Sequence, residues 1–134
     1  MNPRVKSNCT LVVERYLERL VAHDWRAVSE CLSEDVIRVG PFEDVYTGRE
    51  NYMAFLSGLM PSLSGYSMRV DRVLQVNTFG DGDADDGGMT VVLAELTETM
   101  EADGVPFDTA EALVFDVDED NRIARVDVYI KRRT

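Results

Sequence analysis

Near the start of the chain, apolar residues recur at three- and four-residue spacing: Cys9, Val12, Val13, Tyr16, Leu17 and Leu20. That period places them on one face of a helix over residues 7–22. Asp24 supplies an N-cap for a short second helix, with Trp25, Val28, Cys31 and Leu32 on its inner face. Residues 36–39 form a β-branched strand closed by Gly40-Pro41. Thr47-Gly48-Arg49-Glu50 has the form of a capping box, in which the Thr and Glu side chains satisfy reciprocal backbone donors. It opens a third helix with Tyr52, Phe55, Leu56 and Leu59 on one face and Pro61 at its end.

Beyond that point the period falls to two. Met68, Val70, Leu74 and Val76 alternate, and a Gly/Asp-rich loop follows over residues 80–88. Strands over 89–100 and 105–117 flank Asp103-Gly104, a strong two-residue hairpin signal. A turn at 118–121 leads to a last strand over 122–131. The expected order is α-α-β-β-α-β-β-β-β. This describes one α+β domain over residues 1–134, with a strongly curved antiparallel sheet packed on three N-terminal helices and no repeat or linker.

Hairpin turns fix register, and register fixes faces. A two-residue turn at Asp103-Gly104 sets Glu111 opposite Leu96 and Thr109 opposite Glu98. A four-residue turn at 118–121 sets Glu111 opposite Val128, Leu113 opposite Val126 and Phe115 opposite Ala124. One face of this ribbon is then apolar and meets the helices. Glu98, Thr109 and Glu111 are polar groups within it, with Arg122 at the turn end. Glu111 between Leu96 and Val128, with Glu98 a diagonal step away, is the candidate for chemistry. Apolar surroundings and a second carboxylate both disfavour its charged form, and two such groups divide into acid and base. The structural alternative is an ion pair of Glu111 with Arg38 or Arg72. Tyr16, on the inner stripe of the first helix, directs its hydroxyl at the same region. Val12, Tyr52 and Phe55 from the helices and Leu96, Leu113, Phe115, Val126 and Val128 from the sheet are expected to line the pocket.

Charge narrows the function classes. The chain has 25 acidic and 14 basic residues among 134, a formal net charge of −11. Nucleic acid and anionic membrane are therefore excluded as expected partners, since phosphate recognition needs clustered Lys and Arg. The basic run Lys131-Arg132-Arg133 reads as a solvated tail. One histidine and two cysteines, Cys9 and Cys31, offer neither a zinc site nor a disulfide framework. The run 116–127 copies an EF-hand loop in part. However, Asn121 stands at its central Gly position, Asp127 replaces the bidentate Glu, and the flanks are strands. No metal and no cofactor are expected. With no leader-like segment or long apolar run, a cytoplasmic location is the expectation.

Taken in order, these elements resemble the nuclear-transport-factor-2-like superfamily, the cone shared by ketosteroid isomerases and SnoaL-like polyketide cyclases. The resemblance is carried by Val12-Val13-Glu14-Arg15-Tyr16-Leu17, His23-Asp24-Trp25, Ser33-Glu34-Asp35-Val36, Tyr46-Thr47-Gly48-Arg49-Glu50, and Phe115-Asp116-Val117 with Arg122-Ile123. It implies a cone-shaped sheet, a pocket for a small hydrophobic molecule and a homodimer. Tyr16 matches the isomerase's oxyanion-hole tyrosine. The proton-shuttling aspartate of that enzyme falls on Gly40, which argues against ketosteroid isomerase itself. Its oxyanion-hole acid falls on Leu113 without a gap, and on Glu111 in a shifted alignment. The Asp-Arg-Asp set of limonene-epoxide-hydrolase-like relatives meets Leu96 and Val128 instead.

Three functions fit. The first is a pocket enzyme of isomerase, cyclase or lyase type acting on a steroid-, polyketide- or terpenoid-like compound, with Tyr16, Glu98 and Glu111 as catalytic groups. The second is a non-catalytic binder of a hydrophobic ligand. The third is a homodimeric interaction domain using the outer sheet face, Ala110, Ala112, Val114 and Tyr129.

Overall fold

Helix α1 spans Asn8–Val21, with Ser7 as its N-cap and Ala22 as its C-cap. The Ser7 hydroxyl accepts from the Thr10 amide at 3.1 Å, satisfying one donor that the helix start leaves open. A left-handed residue, His23, turns the chain into α2, Trp25–Glu30. Asp24 caps that helix as its sequence position indicates, accepting from the Ala27 amide at 3.3 Å. Cys31 is already the C-cap and Leu32 the first residue of a strand, so the inner stripe of α2 ends earlier than its apolar run suggested. This computed structural model describes residues 7–76 and 89–131. The Gly/Asp-rich loop over 80–88 and the Arg132-Arg133 end of the basic run lie outside them.

Strand β1 is Leu32–Val39 and β2 is Val45–Thr47. Thr47 does not cap the next helix, because it pairs with Ile37 as the last residue of β2. Gly48 takes the N-cap instead, at φ 91° and with no side-chain bond, so the expected capping box is not formed. Its amide donates to the Val36 carbonyl at 2.7 Å, which ties the turn to β1. Helix α3 then runs Arg49–Leu59 and tightens into a 3-10 turn, Met60–Ser62, at Pro61.

The remaining strands are β3 Ser67–Val76, β4 Thr90–Ala102, β5 Val105–Val117 and β6 Ile123–Ile130. They form one curved, unclosed sheet in the order β2-β1-β6-β5-β4-β3. Its pairs are antiparallel except β1 with β6, which is parallel. Helix α1 lies against β3 and β4, and α3 against β1. The core fills the concave side, where Val13, Tyr16 and Leu17 of α1 meet Val92, Phe115 and Val126 of the sheet.

The β4–β5 register is the expected one: Leu96 faces Glu111 and Glu98 faces Thr109. The β5–β6 register is not. Glu111 pairs with Ile130, Leu113 with Val128 and Phe115 with Val126, two residues away from the expected partners. The cause is a longer turn, in which Val117 pairs with Ile123, followed by a bulge that leaves Ala124 unpaired. A shift of two preserves the side-chain faces, so Val126 and Val128 still point inward. At the bulge itself the inward residue is Ile123, fully buried, rather than Ala124. A second bulge between Val70 and Arg72 splits the alternation of β3. Met68 and Val73 pack on the core, while Leu74 and Val76 are exposed.

The acidic run at 116–127 is a hairpin. The Asp118 carboxylate accepts from the amides of Asp120 and Arg122 at 2.9 and 3.0 Å, closing its own turn. Among the described residues, no helix is long and apolar enough to cross a membrane.

Candidate functional site

A cavity of about 310 Å³ opens between α1, α3 and the inner face of β4, β5 and β6. That volume is at the lower end for small-ligand sites, about 300–1,000 Å³, and suits a compact molecule. Most of the wall is apolar, with Leu56, Met60, Leu96, Leu113 and Val128 among its members. Into it project two sets of polar groups and one cation.

The first set lies on the sheet. Glu111 sits between Leu96 on β4 and Ile130 on β6. Its carboxyl is pushed up to about 9, first by burial and then by its hydrogen bond to Glu98 and the charge of that neighbour. At neutral pH Glu111 therefore carries a proton and donates it toward Glu98. Glu98 also accepts from the Tyr66 hydroxyl, giving a chain Tyr66–Glu98–Glu111. Burial raises the Tyr66 phenol strongly, and the adjacent Glu98 charge raises it further. Both donors thus stay protonated and hold the carboxylate between them.

The second set comes from the helices. The hydroxyls of Tyr16 on α1 and Tyr52 on α3 hydrogen-bond each other. The two side chains are nearly inaccessible, and burial raises both phenols. The Tyr16 ring is fixed edge-on against Phe115, with centroids 5.8 Å apart. One hydroxyl of such a pair has a hydrogen free for a third partner, because each oxygen both donates and accepts.

The cation is Arg38. Val36 and Arg38 share a face of β1, and Val36 is fully buried, so Arg38 points into the cone. Its guanidinium lies 4.8 Å from the centre of the Phe55 ring, which stacks on Tyr46. It forms an ion pair with Asp44 at 2.6 Å. Its charge acts against the burial of Tyr16, Tyr52 and Glu111, so it faces all three. The ion-pair alternative for Glu111 is not the arrangement found: Arg38 pairs with Asp44, and Arg72 with Glu95. Among the described residues, no three His, Cys, Asp or Glu side chains group so as to hold a metal ion.

The SnoaL-like domain family matches this sequence over residues 13–126, most of the chain. The chain belongs to that family. Solved structures with the same fold include an LEH-like epoxide hydrolase from M. tuberculosis, 20% identical, TM-score 0.71, covering 92% of this chain and 79% of the other. A polyketide cyclase, so named provisionally, from Xanthomonas campestris pv. campestris is 22% identical with TM-score 0.67, over 92% and 90%. A ketosteroid isomerase from Kribbella flavida, also a provisional name, is 16% identical with TM-score 0.69, over 95% and 80%. At these identities the likeness is one of fold. A search of curated proteins finds no match.

In this SnoaL-like domain, Tyr16, Glu98 and Glu111 line one cavity, as the sequence placed them. Tyr52, Phe55, Leu96, Leu113 and Val128 line it with them. Three expected lining residues do not. Phe115 and Val126 pair with each other and are fully buried in the core beyond the cavity. The two-residue register shift carries Val126 away from Leu113 and replaces it there with Val128. Val12, one turn before Tyr16, packs partly buried against the core. Tyr66 and Asp44 were not anticipated, because both sit in loops where no period assigns a face. Arg38 had been considered only as a partner for Glu111. Its two-residue spacing from Val36 is the signal that turns it inward.

Proposed function

We propose that this SnoaL-like domain is an enzyme that moves protons on a small, largely apolar molecule bearing a polarisable oxygen. The observation that carries the reading is the Glu111–Glu98 pair, which holds a proton at neutral pH in the wall of an apolar cavity that also presents the Tyr16–Tyr52 hydroxyls. A protonated carboxyl donates to a developing oxyanion where an ionised one repels it. Tyr16 or Tyr52 supplies a second donor from the opposite wall. Arg38 adds positive potential at the same place. Such a set stabilises an enolate or alkoxide, and it suits an isomerase, cyclase or lyase acting on a steroid-, polyketide- or terpenoid-like ring compound. The family and the provisional names of its structural relatives support the same chemical neighbourhood.

The test uses 2-tetralone, a compact apolar ketone with acidic hydrogens beside its carbonyl. The protein is expected to accelerate deuterium wash-in from D2O at that carbon, followed by NMR. Glu111→Gln is expected to lower the rate by about 100-fold, the lower range for losing one acid–base group. Acceleration that is the same in Glu111→Gln would sink the role of Glu111. A second reading is favoured by the absence of a carboxylate on Gly40: a non-catalytic carrier of the same ligand class. It predicts that 2-naphthol, a planar enol mimic, raises Tm with no turnover of 2-tetralone.

A further inference from the structure

The segment from Gly40 to Asp44 joins β1 to β2 and passes over the cavity, where Pro41, Phe42 and Asp44 form part of the wall. It is closed by its own backbone, the Gly40 amide donating to the Asp44 carbonyl at 2.8 Å. The Asp44 side chain folds back inside this closure. One carboxylate oxygen accepts from Arg38 Nη1 at 2.6 Å and the other from the Phe42 amide at 3.3 Å. A Cβ placed on Gly40 would lie 2.2 and 2.4 Å from those two oxygens and 2.5 Å from their carbon. The Asp44 carboxylate therefore fills the space into which any side chain at position 40 would begin. The opposing atoms are the end of a flexible side chain, so a residue larger than glycine there would evict Asp44 rather than break the backbone.

We propose that Asp44 is the proton-abstracting carboxylate of this pocket, delivered by the β1–β2 loop into the space that Gly40 leaves open. The inference rests on the proton-transfer reading above and adds the base that reading lacks. Glu111 holds a proton, and a proton taken up by Glu98 would break the Tyr66–Glu98–Glu111 chain on which the donor side of the pocket rests. Asp44 lines the cavity and is bound by two donors. A carboxylate has about four acceptor positions, so capacity remains for a substrate hydrogen. Arg38 fixes its direction and connects it to the donor side of the pocket.

The step balances without a co-reactant. Asp44 removes a proton from the carbon beside a substrate carbonyl. The C–H electron pair becomes the new carbon–carbon π bond, and the carbonyl π pair moves to oxygen, which is held by Tyr16 and takes the Glu111 proton. In collapse the enol returns that proton to Glu111. Asp44 gives its own proton back to carbon, at the same position for exchange or at a conjugated one for isomerisation.

The experiment follows deuterium wash-in on 2-tetralone and, separately, 2-naphthol affinity. Asp44→Asn keeps the shape and an acceptor for the Phe42 amide. It is expected to lose about 100-fold in exchange rate while 2-naphthol affinity changes less than about threefold, as expected of a group acting in the chemical step. Gly40→Asp combined with Asp44→Ala puts a carboxylate back into the same space from the other residue, and at least tenfold of the loss should return. A merely structural Arg38–Asp44 pair would instead lower exchange and 2-naphthol affinity together in Asp44→Asn. Exchange by Asp44→Asn at the unaltered rate overturns the proposal while leaving proton transfer in the pocket intact. No acceleration by the unaltered protein overturns both.

Discussion

A carboxyl that keeps its proton to about pH 9 builds a pH dependence into the fold. In the unfolded chain Glu111 titrates near its usual 4.5. Between the two values the native state binds the extra proton, so stability falls as pH rises through that window. Glu111→Gln supplies a permanently neutral amide that can still donate to Glu98. Its urea midpoint is expected to match the unaltered protein at pH 5 and to exceed it at pH 9. Parallel curves for the two proteins over this range would mean that Glu111 is ionised in the native state. The same residue marks what sequence could reach. Glu98, Glu111 and Tyr16 were legible because a two-residue turn and a helical period fix where their side chains point. Tyr66 and Asp44 were not, since a loop has no period and their positions depend on Glu98 and Arg38, which arrive from other strands.

Elements were more legible than the joints between them. Both ends of α1, the cap of α2 and the β4–β5 register follow directly from local chemistry. Among the misses are two bulges and one cap, where tertiary pairing overrode a local signal. Gly48 shows the mechanism. Thr47 has the better capping side chain, but its pairing with Ile37 keeps it in the strand, and the turn falls on the next residue. At φ 91° that residue is strained unless it is glycine, and a Cβ there would touch nothing within 4 Å. Gly48→Ala isolates the backbone cost from any clash. It is expected to destabilise by about 1–2 kcal/mol, read as a lower urea midpoint at unchanged slope. A neutral result would mean that the β2–α3 turn relaxes to negative φ.

For the molecule as a whole, the sheet has a second face. On it Ala110, Ala112, Val114 and Tyr129 lie side by side, with Leu93 next to Val114 and exposed Leu74 beyond. We propose this face as the contact of a homodimer. Light scattering after size exclusion should give twice the chain mass at micromolar concentration, and Tyr129→Glu should shift it toward the monomer. A monomer at all concentrations would leave that face without a second copy.

The parallel pairing of β1 with β6 carries a different consequence. It brings Leu32 and Val39 against Ile123 and Asp127, joining an early strand to the last one. Contacts so distant in sequence form late, because a long loop must close before they repay its entropy. During synthesis β1 therefore has no partner on that side until β6 has left the ribosome. Until then Val36, fully buried in the finished cone, lacks half of its sheet. The interval of greatest aggregation risk is thus set by the emergence of β6, and a chain shortened within β6 should be lost to misfolding before any effect on its pocket is seen.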